Sequence, residues 1–300
     1  MSTSVVVVTG ANGLVGSHVV AALVGRGATV RAVVRRPGAA PVLTGVEEHV
    51  GDFADPAFAA EVVVGADALV TTVHPLGADG GAQRSVGLDG TLAIASAAAE
   101  AGVPMLVHVS TAGVYDRSPG TGDVDEAGAL VADGSGDYGV VKRDVDAALE
   151  RLGGITRVLV RPPAILGPGE TSIWNAVRPA QIRDDEAERH AVPDKTFAWV
   201  HVDDLAALMA DIATGAIATV MDHPSLGPVL GGCTPVNVAA EPATQRDYLE
   251  TVTSALGLEP VWESGEAWTG RIVVDRAHGW GWSPQVSLED ALDELREGLT

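Results

Sequence analysis

Tyr138 and Lys142 stand four residues apart in a stretch predicted to be helical, so their side chains share one face, one turn apart. A free phenol ionises near pH ~10, and an ammonium beside it favours the phenolate and lowers that value. Such a tyrosine can exchange a proton with an alcohol or a carbonyl near neutral pH. Upstream, Ser110-Thr111-Ala112-Gly113-Val114-Tyr115 closes a predicted strand, and the Thr111 hydroxyl could hold the same oxygen by hydrogen bonding. A tyrosine and a lysine at this spacing also arise by chance on helix surfaces, so the pair needs a second reactant to carry meaning.

That reactant is suggested by the N-terminus. Val5 to Val8 form a short β-branched run that leads into Thr9-Gly10-Ala11-Asn12-Gly13-Leu14-Val15-Gly16. Glycine at 10 and 13 permits a tight turn and a close backbone approach to a ligand. Gly16 lets the following helix pack against the strand. The helix start presents free N–H groups and the positive end of its dipole to a phosphate, and a cofactor pyrophosphate is the natural occupant. A bound, reduced nicotinamide would supply hydride to complete the proton chemistry at Tyr138. The second strand ends Val33-Val34-Arg35-Arg36-Pro37, without the carboxylate that takes a ribose 2′-hydroxyl. Arg35 and Arg36 suit a 2′-phosphate, which favours NADP, with NAD as the alternative if the arginines form a solvated turn.

Elements must bring these residues together. Strands are predicted at Thr29–Val34, Glu48–Asp52, Ala68–Val73, Met105–Ser110 and Arg157–Arg161, and helices at Ser17–Val24, Ser85–Ala101 and Tyr138–Leu152. Apolar strands alternating with helices imply an α/β fold, a Rossmann-type doubly wound parallel sheet with a smaller C-terminal substrate lobe. Ligands gather at the carboxyl ends of such strands, where Thr9, Arg35, Asp52, Thr72, Thr111 and Pro162 fall. Residues 1–166 form the dinucleotide-binding domain in this reading, with 197–222 returning to it. Residues 167–196 and 223–300 form the lobe. Phe197 to Leu205 reads as a strand entering a helix that Asp203 or Asp204 would cap.

Composition excludes several classes. Forty acidic residues against 19 basic ones give a formal net charge of −21, which repels nucleic acid and anionic membrane surfaces. Cys233 is the single cysteine, so an internal disulfide is ruled out and a reducing cytoplasm is expected. Its side chain reads as a small apolar filler rather than a nucleophile. The N-terminus enters a strand directly, so no signal peptide is expected, and no run is long enough to span a bilayer. No metal site is expected.

The ordered landmarks resemble the extended short-chain dehydrogenase/reductase family, in its NAD-dependent epimerase/dehydratase group. They are the Thr9–Gly16 turn, Gly51-Asp52, Ser110–Tyr115, Tyr138 with Lys142, Arg161-Pro162-Pro163-Ala164-Ile165-Leu166-Gly167-Pro168, His201–Ala206 and Gly281-Trp282-Ser283-Pro284 with Ser287–Ala291. The resemblance implies a Thr111/Tyr138/Lys142 triad, with Tyr138 as acid/base and Lys142 also touching the nicotinamide ribose. It implies a cofactor surface of Gly10, Asn12, Gly13, Leu14, Val15, Gly16, Asp52, Phe53, Thr72, Val73, Pro162 and Pro163. A homodimer through helices 85–101 and 138–152 is also implied.

The reaction is narrowed by departures from the family. Ala164 replaces an asparagine common in sugar-nucleotide epimerases, and Ala112-Gly113 replace the acidic pair of dehydratases. Reduction of a small-molecule carbonyl, or oxidation of an alcohol, is therefore favoured, with epimerisation of another metabolite as the alternative. A cofactor-sensing regulator without catalysis is the reading of another class, disfavoured because a sensor needs no proton donor. Candidate substrate contacts are His74, Thr111, Tyr115, Ala164 and Trp174. His74 equally reads as a packed loop residue, and Tyr115 as packing beneath the site. Arg178 and Arg183 either meet an acidic substrate or form a charged face with Asp184, Asp185 and Glu186.

Overall fold

The computed structural model describes residues 3–73, 75 and 80–300. Seven parallel strands form the central sheet: β1 Val5–Thr9, β2 Thr29–Val34, β3 Val46–Val50, β4 Ala68–Thr71, β5 Met105–Val109, β6 Thr156–Arg161 and β7 Cys233–Asn237. Their order across the sheet is β7-β6-β5-β4-β1-β2-β3, so the order of strand addition reverses between β1 and β4. The carboxyl ends at that reversal form the crevice where such sheets bind ligands.

Strands β1, β4, β5 and β6 are buried almost end to end, as expected for a sheet covered on both faces. One face is covered by α1 (Leu14–Gly25), α5 (Val202–Ala213) and the tail residues Trp280 and Trp282. The other is covered by α2 (Pro56–Val62), α3 (Thr91–Glu100) and α4 (Asp137–Arg151). Asp55 caps α2 by accepting the Ala57 and Phe58 N–H groups at 2.9 Å, with Pro56 pre-set at the first helical position.

The smaller lobe has its own core of Leu166, Ile182, Phe197, Trp199, Tyr248, Leu249, Ala291 and Leu295. These come from short segments and two amphipathic helices, α6 (Gln245–Ala255) and α7 (Leu288–Leu299). Residues 164–166 pair with 199–201 as a separate two-stranded parallel ribbon.

Several boundaries differ from the sequence reading. Helix α1 begins at Leu14, and β4 stops at Thr71, where Thr72 turns its hydroxyl to the Thr9 carbonyl at 2.7 Å. Strand β3 ends at Val50, and Asp52 instead closes a turn by accepting the Ala54 N–H. The helix expected over 85–101 is a wider π-type segment, Arg84–Gly90, continued by α3. Gly90 packs against Phe53 there: an added Cβ would lie 2.9 Å from its ring. Segment 223–300 was read as lobe, yet it supplies β7 to the main sheet. Pro235 is tolerated in that strand because β7 lies at the edge.

Helix α5 is capped by neither aspartate: the His201 ring accepts the Asp203 N–H. Asp203 contacts His18 Nδ1 at 2.6 Å, and buried Asp204 accepts the N–H groups of Gln285 and Val286 at 3.0 and 3.1 Å. Among the described residues no helix is long and apolar enough to cross a membrane.

Candidate functional site

Thr111 lies two residues beyond β5. Its hydroxyl accepts the Gly113 N–H at 3.0 Å and donates to the Pro162 carbonyl at 3.4 Å. Tyr138, in the first turn of α4, stands beside Thr111: a Cβ built on Gly113 would lie 3.2 Å from Thr111 Oγ1 and 3.5 Å from the Tyr138 ring. Its ring is 40% exposed while its hydroxyl meets a buried threonine. Helix α4 approaches this closely because residue 139 is glycine: a Cβ there would lie 2.7 Å from the Gly113 carbonyl oxygen.

Lys142 is buried, and its ammonium donates to the Val109 carbonyl at 2.7 Å. Burial lowers it to about 8, with Asp146 pulling the other way. The expected electrostatic effect on the phenol is corrected here. Burial around the Tyr138 hydroxyl raises its pKa, the Thr111 hydrogen bond opposes that, and Asp146 adds to the rise. Lys142 is directed to the strand carbonyl instead. The structure thus joins Thr111, Tyr138 and Lys142 at the end of β5, with a tyrosine that is protonated at rest.

The glycine turn sits across the crevice. Gly10 has φ +70°, and a Cβ on it would lie 2.7 Å from Thr72 Oγ1 and 2.9 Å from Val73 Cγ2. A Cβ on Gly16 would lie 2.0 Å from the Gly10 carbonyl oxygen, so α1 can start here only with glycine at that position. Gly13 is the N-cap of α1 and supplies no side-chain acceptor, which leaves the first-turn N–H groups for a ligand. Asn12 is exposed, and Leu14 and Val15 are half-buried. Gly169 faces Leu14 from the opposite wall, 3.2 Å from an added Cβ to Leu14 Cδ1. These residues fit a pyrophosphate cradle.

Arg35 and Arg36 are exposed just past β2, and neither has a partner among the described residues. The loop behind them is held by Glu48, whose carboxylate accepts the Gly38 and Ala40 N–H groups at 2.9 and 3.0 Å. Those bonds hold Glu48 below its ordinary range. Asp52 is exposed at the crevice edge, whereas the Phe53 ring is buried in the core. Thr72 and Val73 are half-buried beside Gly10. Pro162 is buried and accepts the Ala112 N–H at 2.8 Å; Pro163 is half-buried.

The substrate-facing residues divide. His74 lies outside the described residues. Tyr115 does not line the crevice: it is 1% exposed, donates to Asn237 Oδ1 at 2.8 Å and accepts from Arg161 at 2.8 Å. Ala164 donates its N–H to the Ala198 carbonyl at 3.1 Å, where 164–166 run beside 199–201. Trp174 packs edge-on against Phe197 and Tyr248 in the lobe core and is half-buried. Arg178 pairs with Glu188 and Arg183 with Asp184, so both belong to a charged face. Burial raises the Cys233 thiol to about 11, which leaves it inert at neutral pH. Among the described residues no group of three or more His, Cys, Asp or Glu side chains could hold a metal ion.

Sequence reasoning missed the polar layer beneath the site. Asp146, one turn beyond Lys142, is buried and pairs with Arg161 at 3.0 Å. Arg161 stacks over Tyr115, its guanidinium carbon 5.1 Å from the ring centroid. The Asn237 N–H donates to Glu126 at 2.9 Å. The available signal was a carboxylate on the same helical face as Tyr138 and Lys142, at four-residue spacing.

Residues 10–216 match the family described as NAD(P)H-binding. Among curated proteins the chain is 32% identical over 168 residues to sterol demethylase protein B of Methylococcus capsulatus, covering 54% of this chain and 51% of that one. It is 30% identical over 204 residues to a Stigmatella aurantiaca protein, 4-hydroxy-2-methyl-3-oxo-4-farnesyl-3,4-dihydroquinoline-1-oxide ketoreductase, covering 64% and 56%. The chain thus spans about half the length of the curated relatives it matches. Among solved structures, the UDP-glucose 4-epimerase of Thermotoga maritima superposes over 98% of both chains, with a TM-score of 0.76 and 19% identity, a likeness of fold.

Proposed function

The chain belongs to the NAD(P)H-binding family, and we propose that it is an NADP-dependent oxidoreductase that reduces a small-molecule carbonyl or oxidises the corresponding alcohol. The observation that carries this reading is the juxtaposition of Thr111 and Tyr138 around Gly113 at the end of β5, with Lys142 buried beneath on the Val109 carbonyl. Reduced nicotinamide supplies hydride when bound. The protein's own part is to hold the carbonyl oxygen at Thr111 and to donate the Tyr138 proton as charge develops on that oxygen. Burial keeps the Tyr138 phenol protonated at neutral pH, so its proton is in place when charge develops on the substrate oxygen. Lys142 holds the nicotinamide ribose.

Gly10, Gly13 and the first turn of α1 receive the pyrophosphate, and Asp52 lies near the adenine. The unpartnered Arg35 and Arg36 support a 2′-phosphate, in a chain otherwise so acidic that it would repel one. The ketoreductase relative supports reduction. The family resemblance also favours a homodimer through helices 85–101 and 138–152.

The test is to assay freshly purified protein for bound cofactor, then to follow NADPH consumption against a panel of ketones and aldehydes. Exchangeable NADPH consumed in proportion to product is the expected result. Tightly retained NAD, recycled without net consumption, would show an epimerase instead. Cofactor binding with no turnover on any carbonyl or epimerisable substrate would favour a regulator.

A further inference from the structure

Arg161 is the last residue of β6, and its guanidinium is buried between the elements that carry the site. Nε donates to Asp146 Oδ2 of α4 at 3.0 Å, and Nη1 donates to the Tyr115 hydroxyl at 2.8 Å. That hydroxyl donates in turn to Asn237 Oδ1 of β7, whose amide is tied to the Val273 carbonyl at 3.1 Å. A planar fork with one arm on each of two elements fixes them relative to each other. Asp146 lies eight residues along α4 from Tyr138, about 12 Å of rigid helix. The near end of α4 rests at Gly139 against the Gly113 carbonyl. Tyr115 lies four residues beyond Thr111, in a turn closed by its own N–H on the Ala112 carbonyl at 3.2 Å. Pro162, next to Arg161, accepts the Ala112 N–H at 2.8 Å and the Thr111 hydroxyl at 3.4 Å. The end of β6 thus holds the Thr111 turn through a backbone carbonyl and α4 through a side chain.

We infer that Arg161 is a positioning residue: its two arms hold α4, at Asp146, and the Tyr115 turn to one strand end, and so set where the Tyr138 hydroxyl stands relative to Thr111. The functional meaning of this rests on the proposed proton donation by Tyr138. Arg161→Lys separates placement from charge. Lysine keeps the cation beside Asp146 but replaces the fork with a single point on a flexible stem. Tyr115→Phe keeps the ring and removes the acceptor of one arm.

The chain has three tyrosines, Tyr115, Tyr138 and Tyr248, so protein labelled with ζ-13C-tyrosine gives three signals. Tyr248, in the core of the smaller lobe, is the internal reference for an intact fold. Tyr115→Phe and Tyr138→Phe each delete one signal and assign the other two. In Arg161→Lys the Tyr138 signal should shift together with that of Tyr115, while Tyr248 keeps its position. A Tyr138 signal unmoved by Arg161→Lys would overturn the inference. If that variant does not fold, the Tyr138 signal in Tyr115→Phe decides in the same way. With a carbonyl substrate, Arg161→Lys should lower kcat by about tenfold to a hundredfold and keep NADPH affinity within a few-fold. An unchanged kcat per bound NADPH would also overturn it. The chemistry is tested separately by turnover of Tyr138→Phe: activity surviving there would remove the proton donor and leave the displacement of Tyr138 by Arg161→Lys standing.

Discussion

At Tyr138 the chemistry depends on one proton held against one threonine. Replacing the hydroxyl in Tyr138→Phe leaves the ring and the α4 packing in place. Turnover of a reducible carbonyl should fall by about 10²–10⁴-fold, with NADPH affinity kept within a few-fold. Activity that survives that change would remove Tyr138 from the mechanism. Lys142 sets function against stability. Its folded value is about 8, against about 10.4 in an unfolded chain. Between those values the unfolded chain binds a proton that the folded one does not, so this group's contribution to stability rises with pH over that window. Below about 8 the cost is fully present. Lys142→Met should therefore melt no lower than wild type at pH 7, with a gain of up to about 3 kcal/mol that narrows as the pH is raised toward 10. A clearly lower melting temperature at pH 7 would contradict the assigned burial cost.

Elements decide whether these side chains meet. Gly16→Ala places a Cβ 2.0 Å from the Gly10 carbonyl oxygen, a rigid backbone atom. The start of α1 must shift, so dinucleotide affinity should fall at least about tenfold, with a loss of about 1–3 kcal/mol in stability. Gly139→Ala, 2.7 Å from the Gly113 carbonyl, should instead lower kcat while sparing cofactor affinity, because it moves Tyr138 away from Thr111. Equal loss of both in each variant would undo this division.

The glycine turn, the alternating strands and helices, and the Thr111–Tyr138–Lys142 set were legible because each depends on local spacing and period. Strand β7 was not, since Pro235 interrupts its pattern and only an edge position tolerates it. The fates of Tyr115, Trp174 and Asp146 were also hidden. Whether a polar or aromatic side chain lines a crevice or is buried under it depends on partners brought in by other elements, such as Tyr115 with Asn237.

At the scale of the whole molecule, Asp204 is a buried polar tie between α5 and the C-terminal tail. It is 5% exposed, its carboxylate accepts two backbone N–H groups at 285 and 286, and its carbonyl accepts Trp282 Nε1 at 3.0 Å. Asp204→Ala should cost about 2–4 kcal/mol. It should also release the Trp282 environment, read as a red shift in tryptophan emission together with a lower melting temperature. A variant that melts like wild type would show that the tail packs without this carboxylate.

The net charge of −21 makes the arginines beside β2 decisive at the same scale, because a dinucleotide phosphate must approach against the protein's overall field. Direct binding titrations of NADPH and NADH against the wild type and the Arg35→Ala/Arg36→Ala double variant test the central reading most directly. NADPH should bind at least about tenfold more tightly than NADH to the wild type, and the double variant should lose that preference while keeping its NADH affinity. Tighter binding of NADH by the wild type, or a preference untouched by removing both arginines, would contradict it.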